Sequence, residues 1–331
     1  MTLLNHGLIL SKLETLMSPP DVTPRPHRPS VARPMRFRRT RVLIVGCGDV
    51  GLRAAPYLQK ARVRVLALTS SPTRAALLRG LNITPLLGNL DQPNTLGRLA
   101  GLAPRVLHLA PPPTDPALRT DPRTRHLTQA LARSTRPRAL VYGSTTGVYG
   151  DCQGAWIDET RCVAPSTPRA QRRVDAERQL RRWARATGAR LALLRIPGIY
   201  APDREGGTPE ARLRRGTPVL NAEDDVYTNH IHADDLARAC VKALWRASAG
   251  GRVCHVSDDT ELKMGDYFDA AAGLYGLPRP PRCSRSEAAT LLSPMLLSFM
   301  SESRRLRNQR LKTELRLSLR YPTVIEGLQR L

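Results

Sequence analysis

A short aliphatic run, Arg41 to Val45, ends in Gly46-Cys47-Gly48-Asp49-Val50-Gly51, and a helical stretch from Leu52 to Lys60 follows. Strand, G-x-G-x-x-G and helix in this order constrain the chain more than any other feature. Each glycine has a mechanical task there. The first permits a tight turn, the second lets backbone approach a pyrophosphate, and the third lets helix pack close to strand. The helix start adds unpaired N–H groups and a positive dipole for phosphate. Gly46, Cys47, Gly48, Asp49, Val50 and Gly51 are therefore candidate dinucleotide-binding residues.

The segments that follow keep one rhythm. Strands are expected at Val63–Leu68, Ile83–Leu87, Arg105–Ala110, Ala139–Tyr142 and Leu191–Ile196. Helical stretches are expected at Thr73–Arg79, Asn94–Leu99, Arg123–Arg133 and Gln171–Thr187. Strands alternating with helices predict an α/β fold, a doubly wound parallel Rossmann sheet covered on both faces. After Ile196 the rhythm breaks. Residues 40–200 are expected to form the NAD(P)-binding domain. Residues 201–331 are expected to form mainly a smaller C-terminal substrate lobe, with the Val253–Val256 strand and Val219-Leu220 attached to or near the main sheet. Helices are expected at Asp234–Arg246, Met264–Tyr275 and Ser286–Met300, the last kinked at Pro294.

Residues 1–39 stand apart, because Pro19 to Pro34 is rich in Pro and Arg with no apolar period. A disordered basic leader is expected there. An organelle transit peptide and an extension upstream of a second start at Met35 both give that composition.

The end of the second strand bears on cofactor choice. An NAD site usually places a carboxylate there for the ribose 2′-OH. Here the stretch runs from Leu68 to Arg74, and no Asp or Glu occurs between Asp49 and Asp91. Hydroxyls and an arginine, Ser70 and Arg74 among them, suit a 2′-phosphate better. NADP is therefore preferred over NAD.

The formal net charge is +24, almost all of it arginine. Such a balance suits an anionic partner or simply reflects solvated helix faces. Aromatic residues make up only 4% of the 331 residues, so stacking platforms are scarce and a nucleic-acid partner is not expected. No apolar run reaches the roughly 18 residues of a membrane span. The six cysteines form no C-x-x-C pair or zinc spacing, which fits reduced thiols in a cytoplasmic protein and no metal site.

Several segments in order resemble the extended short-chain dehydrogenase/reductase family, which includes the NDP-sugar epimerases and dehydratases. Gly88-Asn89-Leu90-Asp91 resembles the family segment that flanks the adenine. Leu109-Ala110 resembles the strand end under the cofactor. Ser144 to Gly150 resembles its S-S-x-x-V-Y-G segment. Arg195 to Pro202, with Pro197 inside it, resembles the segment that closes over the nicotinamide. Ile231-His232-Ala233-Asp234-Asp235 resembles its I-H-V-D-D segment. The resemblance implies cofactor contacts from Asn89, Leu90, Ala110 and Pro197. It also implies an oxidoreductase or epimerase-like activity on a small hydroxyl or carbonyl compound, nucleotide-linked or not. Family members often dimerise; here the second dimer helix is dense in Arg, and a homodimer stays open.

One departure matters for chemistry. Where the family carries Tyr-x-x-x-Lys, this chain has Arg169 and Arg173. Arginine stays charged and only donates, so it cannot replace the tyrosine in proton transfer. Arg173 could still hold the ribose, and Arg169 could clamp an anionic substrate group. Thr145 falls at the family's hydroxyl donor. Tyr149, Asp158, Glu159, Tyr200 and His232 are further proton-handling candidates by proximity. The alternative is a cofactor-binding sensor or partner-binding protein without turnover.

Overall fold

The structure is a computed structural model that describes residues 40–329. The leader expected over residues 1–39 lies outside the described residues. Strand β1 (Arg41–Val45) leads through the glycine loop into α1 (Asp49–Lys60). There follow β2 (Arg64–Thr69), α2 (Pro72–Gly80), β3 (Thr84–Leu87), a 3-10 helix at Pro93–Leu99 and β4 (Arg105–His108). Next come α3 (Pro122–Ala132), β5 (Ala139–Thr145), the short β6 (Trp156–Ile157), α4 (Pro168–Thr187) and β7 (Arg190–Ile196). Then come β8 (Gly198–Tyr200), α5 (Glu210–Arg214), β9 (Val219–Leu220), β10 (Tyr227–Thr228) and β11 (His230–His232). They are followed by α6 (Ala233–Arg246), β12 (Arg252–His255), β13 (Leu262–Lys263), α7 (Met264–Tyr275) and β14 (Arg282–Cys283). The chain ends with α8 (Arg285–Leu291), α9 (Pro294–Met300), β15 (Arg305–Leu306), α10 (Gln309–Thr313) and α11 (Val324–Gln329).

Seven strands form one parallel sheet in the order β12-β7-β5-β4-β1-β2-β3. Strand β1 explains how. Its side chains alternate between two cores, as the pleat requires. Val42 and Ile44 pack with Ala54 and Leu58 of α1 and with Leu236 and Ala239 of α6. Leu43 and Val45 pack with Leu127 and Leu131 of α3 and with Leu180 of α4. A strand buried on both sides reads as continuously apolar, the pattern seen in the sequence. Strand order reverses at β1, flanked by β4 and β2, and the glycine loop leaves the sheet at that switch point.

A third core, with Leu213, Val219, Tyr267, Phe268 and Met300, lies under the later elements. The Val253 strand is the seventh strand of the main sheet, paired with β7. Val219-Leu220 is not attached there; it pairs with Arg282–Cys283 in a separate ladder. The helix expected from Ser286 to Met300 is broken rather than kinked. Leu292 and Ser293 are extended, Ser293 caps a new helix through Leu296 N at 3.4 Å, and Pro294 opens it. Proline disfavours helical backbone in the residue before it, so the chain restarts instead of bending.

Candidate functional site

Gly46 has φ +84, and a Cβ there would come within 2.5 Å of Ala110 Cα. The N–H groups of Leu109 and Ala110 both donate to Val45 O, at 2.7 and 3.0 Å. The end of β4 is thus locked against the glycine turn, and Ala110 forms its floor. A Cβ on Gly51 would meet Cys47 Sγ and Ile44 Cγ2 at 3.3 Å, so helix and strand pack closely there. Gly48 is the N-cap of α1, with no side-chain cap bond and nothing within 4 Å of where its Cβ would stand. The first amides of α1 have no intrahelical acceptors. Open space over an uncapped 12-residue helix start fits a pyrophosphate.

The neighbouring candidates surround this loop. Arg74 of α2 donates through Nη2 to Cys47 O at 2.7 Å. Ser71 caps α2 by accepting from Arg74 N, and Ser70 is exposed beside it at the end of β2. Burial pushes the Cys47 thiol up to about 11. Val50 packs against the first core. Asn89 Oδ1 accepts from Asp91 N at 3.0 Å, and Leu90 is buried with its carbonyl accepting from His126 Nδ1 at 2.8 Å. Asp49 has both carboxylate oxygens engaged, by Arg53 and by Arg204. Arg53 also reaches Asp203 and Asp234, each at 2.7 Å. This cluster ties the glycine-loop helix to the loop after β8 and to α6, and no sequence motif announced it.

A cavity of about 620 Å³ lies beyond the ends of β5 and β7. It brings together Thr145, Arg169, Arg173 and Pro197. Arg204 lines it too, and its ion pair with Asp49 joins the cavity to the glycine loop. Thr145 is half-buried and its Oγ1 accepts from Gly147 N at 3.3 Å. Arg173 donates through Nη1 to Gly143 O at 2.7 Å and to Tyr142 OH at 3.1 Å. Arg169 stacks over the Phe299 ring at 5.1 Å.

Most of the further proton-handling candidates fall elsewhere. Tyr149 OH lies 2.5 Å from His255 Nε2, buried beneath Arg195, and burial pushes its phenol up to about 12. Asp158 is exposed and accepts from Thr160. Glu159 accepts from His255 N at 3.0 Å. His232 Nδ1 accepts from Asp234 N, and its ring stacks on Tyr321 at 3.6 Å. Tyr200 does line the cavity, but its hydroxyl donates to Thr323 O at 3.1 Å, and burial raises its pKa.

Sequence reasoning missed several lining residues: Arg212, His230, Tyr267, Glu302 and Arg304. Arg212 and Tyr267 come from α5 and α7, His230 from the three-residue β11, and Glu302 and Arg304 from the loop before β15, with no motif common to them. His230 is buried, its Nδ1 has no hydrogen-bond partner, and burial pushes it down to about 4, so the imidazole is neutral at neutral pH. Among the described residues no cluster of three or more His, Cys, Asp or Glu is placed to hold a metal, and no helix is long and apolar enough to cross a membrane.

A doubly wound sheet with a glycine cradle at its switch point and an adjoining cavity defines a nucleotide-cofactor protein of the Rossmann class. The chain matches the NAD dependent epimerase/dehydratase family over residues 42–256, and it belongs to that family. A conserved protein of unknown function from Silicibacter pomeroyi is 30% identical, with a TM-score of 0.72, covering 88% of this chain and 97% of that one. The UDP-glucose 4-epimerase of Thermotoga maritima, solved with UDP-glucose, has a TM-score of 0.72 at 17% identity, over 88% and 96% of the chains. MoeE5, solved with UDP-glucose and NAD, has a TM-score of 0.68 at 21% identity, over 87% and 95%. A curated "Putative UDP-glucose 4-epimerase" of Methanocaldococcus jannaschii is 22% identical over 140 residues, which span 39% of this chain and 45% of that protein.

Proposed function

We propose that this protein is an NAD(P)-dependent oxidoreductase or epimerase-like enzyme acting on a small hydroxyl or carbonyl compound. The observation that carries the reading is the cradle itself: Gly46 pressed onto Ala110, and open space at the uncapped Gly48. Gly46 to Gly51 would hold the pyrophosphate, Asn89, Leu90 and Ala110 the adenine side, and Thr145, Arg173 and Pro197 the nicotinamide side. NADP is preferred, because Ser70 and Arg74 stand beside the loop and, among the described residues, Asp49 there is already paired. Asp49 is spent on Arg53 and Arg204. A nucleotide-linked substrate is compatible with the solved relatives that hold UDP-glucose. Residues 40–200 would then hold the cofactor and the smaller lobe, mainly residues 201–331, the substrate. A cytoplasmic setting rests on cysteine usage alone.

The nicotinamide, when bound, supplies or accepts a hydride. The chain supplies polarisation and positioning. Thr145 offers a hydroxyl donor to a substrate oxygen, and His230 contributes a neutral imidazole to the lining. Arg169 holds its proton at any working pH and serves to orient.

A second reading, a cofactor-binding sensor without turnover, is favoured by one observation. Tyr149 and Tyr200 are both committed to protein partners, and Arg169 stands where the family keeps its tyrosine. Hydride transfer followed at 340 nm over a carbonyl panel separates the two. We expect oxidation of NADPH by at least one carbonyl, and a loss on the order of 10²-fold in kcat for Thr145→Val. Tight NADPH binding with no turnover on any carbonyl would leave the sensor.

A further inference from the structure

Two arginines of the cavity are seated in the same way. Arg169, in the first turn of α4, lies over the Phe299 ring at 5.1 Å. Arg212, in α5, lies over the Phe268 ring at 4.3 Å. The chain has three phenylalanines, and two of them provide these seats. A ring under a guanidinium fixes its plane and leaves the edge N–H groups to other acceptors.

Neither guanidinium has a carboxylate within ion-pair distance among the described residues, whereas Arg204 is paired with Asp49 and Arg304 with Glu302. Arg212 is half-buried, and its Nε and Nη2 are buried without any partner. Burial lowers its pKa, and among the described residues no carboxylate neutralises it. Unpaired charge stripped of water is costly, and an arriving anion removes that cost. A planar fork of donors matches the two oxygens of a carboxylate or a phosphate.

We propose that the cavity takes a substrate bearing two oxyanion groups, one received by Arg169 and the other by Arg212. This rests on reading the cavity as the substrate site. It gives Arg169 a task that the loss of the family's tyrosine left open: it is a specificity residue rather than an acid. Carboxylate and phosphate share the chemistry, and the test separates them.

Calorimetric titration of the protein saturated with NADPH would use succinate, pyrophosphate and, as a neutral control, succinamide. We expect one or both dianions to bind with one-to-one stoichiometry and succinamide not to bind. Succinate alone identifies a dicarboxylate, pyrophosphate alone a phosphorylated compound, and both a site that reads charge and shape. Arg169→Gln and Arg212→Gln should each weaken that binding about tenfold or more, with NADPH affinity unchanged. Arg169 is exposed at the cavity rim, so its variant reports even where Arg212→Gln does not fold. No dianion binding to the wild type, or binding undiminished in the folded variants, overturns the proposal and leaves the cofactor reading standing. Failure of NADPH to bind the wild type counts against the cofactor reading instead, and the same anion series on the unloaded protein then decides this one.

Discussion

Gly46 and Gly48 stand two residues apart and are glycines for opposite reasons. Gly46 takes φ +84 and faces Ala110 with no room for a methyl group. Gly46→Ala should therefore lose about 2 kcal/mol or more of stability, from left-handed strain plus displacement of the β4 end. Urea denaturation measures this, and an unchanged midpoint would contradict it. Gly48 has φ −81 and ψ −153, ordinary extended backbone, with open space around it. The fold does not require a glycine there; on the proposed reading the ligand does. At this scale the sequence was readable where one residue carries one task, as in the glycine loop and in Arg169 at the tyrosine position. The seats of Arg169 and Arg212 were not readable, because Phe299 and Phe268 reach them from far along the chain.

The elements of the sheet announced themselves because both faces are covered, so their strands are unbroken aliphatic runs bounded by Gly, Pro and Arg. Their joints did not. Helix α4 is tied to β5 and β7 by a buried network: Ser144 Oγ donates to Glu177 at 2.7 Å, and Arg195 donates to it at 2.8 and 3.1 Å. Arg195 holds the Glu177 carboxyl below its usual range against the opposing effect of burial. Glu177→Ala leaves Arg195, 3% exposed, without its counter-charge and should cost about 3–5 kcal/mol. Adding Arg195→Met should recover much of that loss in the thermal melt; a double variant as unstable as the single would count against the network. Two-residue strands such as β9 and β14 carry too few side chains to show a period, and the break at Ser293-Pro294 depends on a cap that composition alone does not reveal.

The whole molecule buries ionisable groups that no local pattern discloses. Burial pushes His108 down to about 3 and His230 and His255 to about 4, and it pushes Asp258 up to about 8. The histidines stabilise the fold above about pH 6.5, and that contribution is lost as pH falls toward 4, because the unfolded chain takes their protons. Asp258 acts the other way: its contribution is full below about pH 4 and is lost as pH rises toward 8. Burial also lowers His232 and raises Asp121, Glu159 and Asp225, by less. The three large histidine shifts outweigh the one large carboxyl shift, so melting temperature should fall from pH 6.5 to 4.5; a flat profile there would contradict the burial of these rings. The parallel sheet covered on both faces was legible from the strand-helix rhythm, and so was the glycine loop after its first strand; the strand order and the switch point were not. The cavity was not legible either, since its lining is gathered from strands, helices and loops spread between Thr145 and Arg304. Whether a dinucleotide lies over the start of α1 can be read from fluorescence titration of wild type and Gly48→Val with NADPH and NADH. The wild type should bind, NADPH more tightly than NADH, and Gly48→Val should melt like the wild type yet lose binding by at least about 100-fold, because its side chain fills the pyrophosphate space. A wild type that binds neither nucleotide, or a Gly48→Val variant that binds as well as the wild type, would contradict that placement.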